Sequence, residues 1–239
     1  MTESLLLTAT PIKTFLHSQH LTNASGFFFE NNSNLFLVTS RHVLFDEPSK
    51  HTPDRIEIEI HTDPINLADS IGFSIPLYKL GKSVWKQGTD SAGEIDVAVI
   101  QIEKDKFPEN SVYCAFNPSH LLESLDEVHV GSSMLIVGFP MGFHDSLHHL
   151  PIVRHAVNAS SLELRFKGSG YFLTDARTHR GTSGAAVVKR SENTIDNLPW
   201  KLLGIHSARL DVGNREITLD EALGLNCAWF ADILLTLCQ

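Results

Sequence analysis

Apolar residues in this chain come in short runs, most with a period of two. In RIEIEIH, Arg55–His61, isoleucines alternate strictly with charged residues, the mark of a strand with one buried face. SGFFFENN and NLFLVTS flank Asn and Ser at 30–34 and predict a hairpin. IDVAVIQI at 95–102 predicts a strand, and EVHVGSSMLIVGFP another, ending at Gly138-Phe139-Pro140. LELRFKG, YFLTDA, GAAVVKR and KLLGIHSARL then follow at intervals of roughly ten residues, the spacing of a sandwich or barrel. Helical spacing is confined to about 227–237, where Trp229, Ile233, Leu234 and Leu237 recur. Residues 46–93 are polar and carry several prolines, and outside RIEIEIH they read as loop. The pattern predicts an all-β protein with a C-terminal helix.

Composition narrows the function. The chain has 239 residues and a formal net charge of −9, with no Lys/Arg-rich run, so nucleic acid is not expected as a partner. No apolar stretch is long enough to span a membrane, and no secretory signal is expected in MTESLLLTATPIKTF. Cys114, Cys227 and Cys238 are odd in number and widely spaced, which fits a reducing, cytoplasmic setting rather than a disulfide framework.

The candidate chemistry lies in THRGTSGAAVV, where Ser183 stands between Gly181 and Gly184. A serine nucleophile needs a base and a carboxylate that orients the base. The order Ser, acid, His would squeeze the whole set between Ser183 and His206, the last histidine, with only Glu192 and Asp196 as acids. That is too little chain to cross several strands, and the motif is not Gly-x-Ser-x-Gly. The order His, Asp, Ser fits. His42 follows an apolar strand ending in small polar residues, and Asp96 opens the strand IDVAVIQI.

These three segments resemble the trypsin-like, chymotrypsin-fold serine proteases, with greatest similarity to the bacterial HtrA/Deg type. Thr174-Asp175-Ala176 followed by Gly181-Thr182-Ser183-Gly184 is similar to the segment carrying their nucleophile. Val137-Gly138-Phe139-Pro140-Met141-Gly142 is similar to their Gly-x-Pro-x-Gly turn, and Leu203-Gly204-Ile205-His206 to the strand after the nucleophile. The resemblance implies one protease domain of two packed six-stranded antiparallel β-barrels. Residues 1–115 would form the first, with His42 and Asp96. Residues 116–226 would form the second, with Ser183, and 227–239 the helix. It implies a catalytic triad of His42, Asp96 and Ser183, an oxyanion hole from the amides of Gly181 and Ser183, a protein or peptide substrate, and no cofactor.

The departures carry information. Thr182 stands where digestive members carry an Asp that pairs with a newly cut N-terminus, so activation by clipping is not expected. Ala185 and Ala186 replace Gly-Pro. No peptide-binding PDZ domain is expected after Ser207. Control is expected instead from an activating protein partner, or from a substrate that orders the oxyanion loop. The resemblance places Arg177, Thr178, His206, Ser207 and Arg209 around the residue before the scissile bond. A His and arginines there favour Glu or Asp, whereas HtrA-type pockets take small aliphatic residues, and both readings stand. A second reading of the whole chain is a silent protease-like fold used for binding or assembly. HDSLHHL places His144 and His148 at i and i+4, with His155 and Asp145 the only further ligand candidates; it reads as a solvated loop, and no metal site is expected.

Overall fold

The computed structural model describes residues 2–191, 197–209 and 224–239. Its N-terminal lobe is one antiparallel sheet, built from β1 (Ala9–Leu16), β2 (Gln19–Asn31), β3 (Asn34–Thr39), β4 (Arg55–His61), β5 (Ser70–Pro76), β8 (Trp85–Asp90) and β9 (Gly93–Ile102). They run in the order β5-β4-β1-β2-β3-β9-β8. A small hairpin of β6 (Tyr78–Lys79) and β7 (Lys82–Ser83) lies between β5 and β8 in the chain. The C-terminal lobe is a closed six-stranded barrel of β10 (Ser133–Gly138), β11 (Ile152–Asn158), β12 (Tyr171–Asp175), β13 (Ala186–Arg190), β14 (Trp200–Arg209) and β15 (Leu225–Phe230). This is the chymotrypsin-like architecture. The N-terminal lobe differs from the expected six-stranded barrel in detail: it has seven strands, in a sheet that ends at β5 and β8.

Local chemistry explains the elements. β2 and β3 pair up to Asn31 and Asn34, and the two residues between them, Asn32 and Ser33, both have positive φ. Two left-handed residues make the turn whose twist matches a tight hairpin, and Asn tolerates that conformation best after Gly. In β4 the isoleucines are buried and their charged neighbours half-exposed, as the alternation predicts.

The core lies in three layers. Phe28, Leu35, Leu37 and the β4 isoleucines fill the N-terminal lobe. Met134, Ile136, Phe172, Ala185, Val187 and Ala228 fill the barrel. Between the lobes, Phe27, Phe29, Phe36 and Val38 meet Val137, Phe139, Ala186, Val188 and Ile205. Strands that wall both a lobe and the seam are buried on both faces, which is why FFF and AAVV read as unbroken apolar runs. Phe27 to Phe29 are buried strand core, not an exposed patch.

Two segments depart from the sequence reading. Residues 227–230 belong to β15, not to a helix; β12 and β14 need a strand between them to close the barrel, and that requirement overrides local spacing. The helix is short, a 3-10 turn at Ala231–Ile233 followed by Leu234–Leu237, with Leu234 and Leu237 buried at the seam. LELRFKG forms no strand: Leu164 is exposed and Phe166–Gly168 is a 3-10 turn. Among the described residues, no helix is long and apolar enough to cross a membrane.

Candidate active site

His42 sits in one helical turn, α1 (Arg41–Leu44), at the end of β3, pinned by the buried side chains of Val43 and Leu44. β3 pairs with β9 up to Thr39 opposite Ala98. Continuing that antiparallel register brings Asp96 alongside residues 41 and 42. One Asp96 oxygen accepts the His42 backbone N–H at 2.8 Å, and the other faces His42 Nδ1 at 2.7 Å. A carboxylate accepts only, so Nδ1 carries the proton and Nε2 is left as an acceptor. Ser183 Oγ lies 3.0 Å from that Nε2.

Ser207 completes the group. Its hydroxyl donates to the same Asp96 oxygen that faces the imidazole, and its carbonyl lies 3.0 Å from Ser183 Oγ. Burial pushes the Asp96 carboxyl up, but the bonds from His42 and Ser207 outweigh it and hold the carboxyl below its ordinary value. For His42, burial opposes the charged form, while Asp96, and more weakly Asp46, favour it; the net shift is upward from 6.5. Arg41 is drawn aside by Glu94 at 2.7 Å.

The Ser183 loop, between β12 and β13, depends on its glycines. Gly181 and Gly184 have φ of +88° and +86°. A Cβ on Gly181 would lie 2.7 Å from the Phe139 carbonyl oxygen, and one on Gly184 only 2.2 Å from that of Ser25. Both places demand a residue with neither Cβ nor a preference for negative φ. The loop is then fastened from outside. Met141 N–H donates to the Arg180 carbonyl at 2.5 Å, Ser25 Oγ to the Gly181 carbonyl at 2.7 Å, and Gly184 N–H to the His206 carbonyl at 2.8 Å. In a trans peptide the N–H points opposite to the carbonyl. Tying back the Arg180 oxygen therefore turns the Gly181 N–H the other way. Among the described residues, neither that N–H nor the N–H of Ser183 has an acceptor.

The other sequence candidates fall in different places. Thr178 is buried, and its hydroxyl donates to Asn226 Oδ1. Asn226 is fully buried, and its amide nitrogen reaches the carbonyls of Thr174, Ala176 and Gly224. His206 is 2% exposed, and its backbone braces the nucleophile loop. Arg177 is exposed. Arg209 closes β14 opposite Asn226. Past Ile205, β14 outruns β13, so the backbone at 207–209 has one edge beyond that pairing. Thr182 is buried, with no hydrogen-bond partner for its hydroxyl among the described residues. His148 pairs with Asp145 at 2.7 Å, and no group of three or more His, Cys, Asp or Glu among the described residues is placed to hold a metal.

Ser183 borders an open cleft of about 730 Å³, whose lining includes none of residues 207–209. His42, Ser183 and Gly181 form its floor. Its walls are the β1–β2 hairpin from Leu16 to Ala24, the segment from Asp46 to Thr52, and Met141 with Arg180. Sequence reasoning missed three supports of this site: Ser25, Met141 and Asn226. Each acts through a partner far away in the chain, so no local motif marks it.

None of the curated proteins matches this chain. Among solved structures it is similar to the HtrA-type protease AlgW with tripeptide, at 18% identity and a TM-score of 0.57, over 98% of this chain and 60% of that one. It is similar to the serine endoprotease from Yersinia pestis at 15% identity and a TM-score of 0.54, over 97% and 61%. With a protease from M. tuberculosis in its active form it shares 12% identity and a TM-score of 0.52, over 98% and 80%. At these identities the likeness is one of fold, and this chain spans about three-fifths of the length of the first two. The family model for the trypsin-like peptidase domain matches residues 24–195, a span holding His42, Asp96 and Ser183 and most of the two lobes. The chain belongs to the trypsin-like peptidase domain family.

Proposed function

We propose that the protein is a serine endopeptidase that cleaves protein or peptide substrates through an acyl-enzyme. The observation that carries this reading is the unbroken line from Asp96 to His42 Nδ1 and from His42 Nε2 to Ser183 Oγ, at 2.7 and 3.0 Å. Ser183 Oγ attacks the scissile carbonyl while His42 takes its proton. Asp96 holds the tautomer and stabilises the imidazolium. The amides of Gly181 and Ser183 receive the oxyanion, and His42 returns the proton to the departing amine. Water then repeats the sequence on the ester. Each oxyanion donor is worth about 2.7–4 kcal/mol in the transition state.

The bonds from Met141 and Ser25 support an oxyanion loop that works without an activating partner; a latent loop would need those carbonyls released. The segment before the scissile bond lies along residues 207–209 as an added strand. A Glu or Asp before the bond is the preference that the resemblance suggests, since it sets Arg177, His206 and Arg209 around that residue. The odd number and wide spacing of Cys114, Cys227 and Cys238 fit a reducing intracellular setting, and burial pushes the thiols of Cys227 and Cys238 up to about 11 and about 12.

Burst kinetics test the reading. An activated ester should release one equivalent of leaving group per protein in a fast phase, absent from Ser183→Ala. A burst retained by that variant would sink it, and so would the absence of any burst. The silent-fold alternative predicts the second result.

A further inference from the structure

We propose that the cleft beyond Ser183 selects substrates with an acidic side chain at the first or second residue after the scissile bond. This rests on the serine endopeptidase reading and extends it to the leaving-group side. Once the acyl group is on Ser183, its oxygen lies at the Gly181 and Ser183 amides, and the chain before the bond runs along 207–209. The amine leaves past His42 Nε2. The cleft contains His42, Ser183 and Gly181 but none of residues 207–209, so it receives the segment after the bond.

Its charge runs against that of the molecule. The chain has 28 acidic and 19 basic residues. The cleft has two permanent cations, Lys50 and Arg180, and one acid, Asp46. Asp46 accepts the N–H and hydroxyl of Ser49 and keeps its charge, so the fixed charges of the lining sum to +1. Lys50 and Arg180 are exposed, and neither side chain has an ion-pair or hydrogen-bond partner among the described residues. The two histidines of the walls use a ring nitrogen locally: His20 on Asn23, and His51 on the Val43 carbonyl. Arg180 directly precedes Gly181, so its side chain starts beside the reacting carbonyl, and Lys50 lines the same cleft from the other lobe. Two unpaired cations across a cleft attract a carboxylate and repel a basic residue. The Arg fork also offers two parallel donors to one carboxylate.

A peptide library randomised after the cleaved bond and read by mass spectrometry tests this. Within one digest, cuts before Asp or Glu should exceed cuts before Asn or Gln by about fivefold, the scale of a partly exposed ion pair. The excess should shrink at high salt. The Lys50→Gln/Arg180→Gln protein should bring the ratio to about one, and Arg180→Glu should turn it toward Lys and Arg. A wild-type ratio near one, or an excess that survives the double substitution, overturns the proposal. A normal acylation burst beside either result leaves the endopeptidase reading standing; no burst and no cleavage overturns both.

Discussion

Ser25 and Gly181 are 156 positions apart, and the Ser25 hydroxyl donates to the Gly181 carbonyl at 2.7 Å. The same hydroxyl oxygen accepts Phe139 N–H at 2.8 Å, and Ser25 N–H donates to the Ser183 carbonyl at 2.9 Å. One small residue of β2 thus joins the N-terminal lobe to the end of β10 and to both sides of the nucleophile. The Ser183 loop is held across the seam between lobes, and not by its own barrel alone.

Ser25→Ala should therefore act on turnover more than on binding. The Gly181 carbonyl and the Phe139 N–H each lose a buried partner, at about 1–3 kcal/mol apiece. We expect kcat to fall by roughly ten- to a hundredfold with little change in KM, as expected when a transition-state interaction is lost. A purely structural role would lower the melting temperature and leave kcat per folded molecule unchanged. Steady-state kinetics alongside thermal unfolding separates the two.

Gly184→Ala should be more damaging than Gly181→Ala. Both positions have left-handed φ, which costs a residue with a Cβ about 1–2 kcal/mol. At Gly184 the new Cβ would also meet the Ser25 carbonyl at 2.2 Å and Thr39 Oγ1 at 2.3 Å, both at the lobe seam. Gly184→Ala should reduce the yield of folded protein. Gly181→Ala should fold and lose activity. Soluble yield and circular dichroism read the first, and hydrolysis of an ester substrate the second.

The pH profile follows from the direction of the His42 shift. His42 must be neutral to take the Ser183 proton, and its pKa is raised from 6.5, so kcat/KM should climb with pH through a midpoint above 6.5. Asp96 causes the rise, since burial alone pushes the other way. In Asp96→Asn the midpoint should drop below 6.5, and the rate should fall by about 10⁴, because the imidazole is no longer held in the productive tautomer. A midpoint unmoved by this substitution would remove Asp96 from the account.

Asn226→Ala should destabilise the fold. It leaves the Thr178 hydroxyl without its acceptor and takes the side-chain donor from the carbonyls of Ala176 and Gly224, which keep only the backbone N–H groups of Thr178 and Ala176, all in or beside buried positions. About 2–4 kcal/mol is expected by urea unfolding. Asn226→Asp should recover only part of it, since a carboxylate can accept from Thr178 but cannot donate to the carbonyls.

His42, Asp96 and Ser183 were legible in the sequence because each stands beside a local marker: a strand end, a strand start, a glycine pair. Their order then excluded other folds. Ser25, Met141 and Asn226 were not legible, because the partner that gives each its work is set by tertiary packing. Strand reading followed the same division. β4 and β9 show alternation or a solid apolar run. β5 is mostly exposed and lies at a sheet end, so residues 46–93 read as loop. β11, with Arg154 and His155 in its middle, shows little buried face and gave no signal. Barrel closure turned 227–230 from an apparent helix into a strand.

The activation of Ser183 is tested most directly by reacting the purified protein with a fluorophosphonate and reading the intact mass. The geometry predicts a single adduct on the wild type, none on Ser183→Ala, and labelling of His42→Ala slowed at least a thousandfold, in keeping with roughly 10³–10⁶ for loss of a triad member. An unlabelled wild type, or an adduct that persists in Ser183→Ala, would contradict the account.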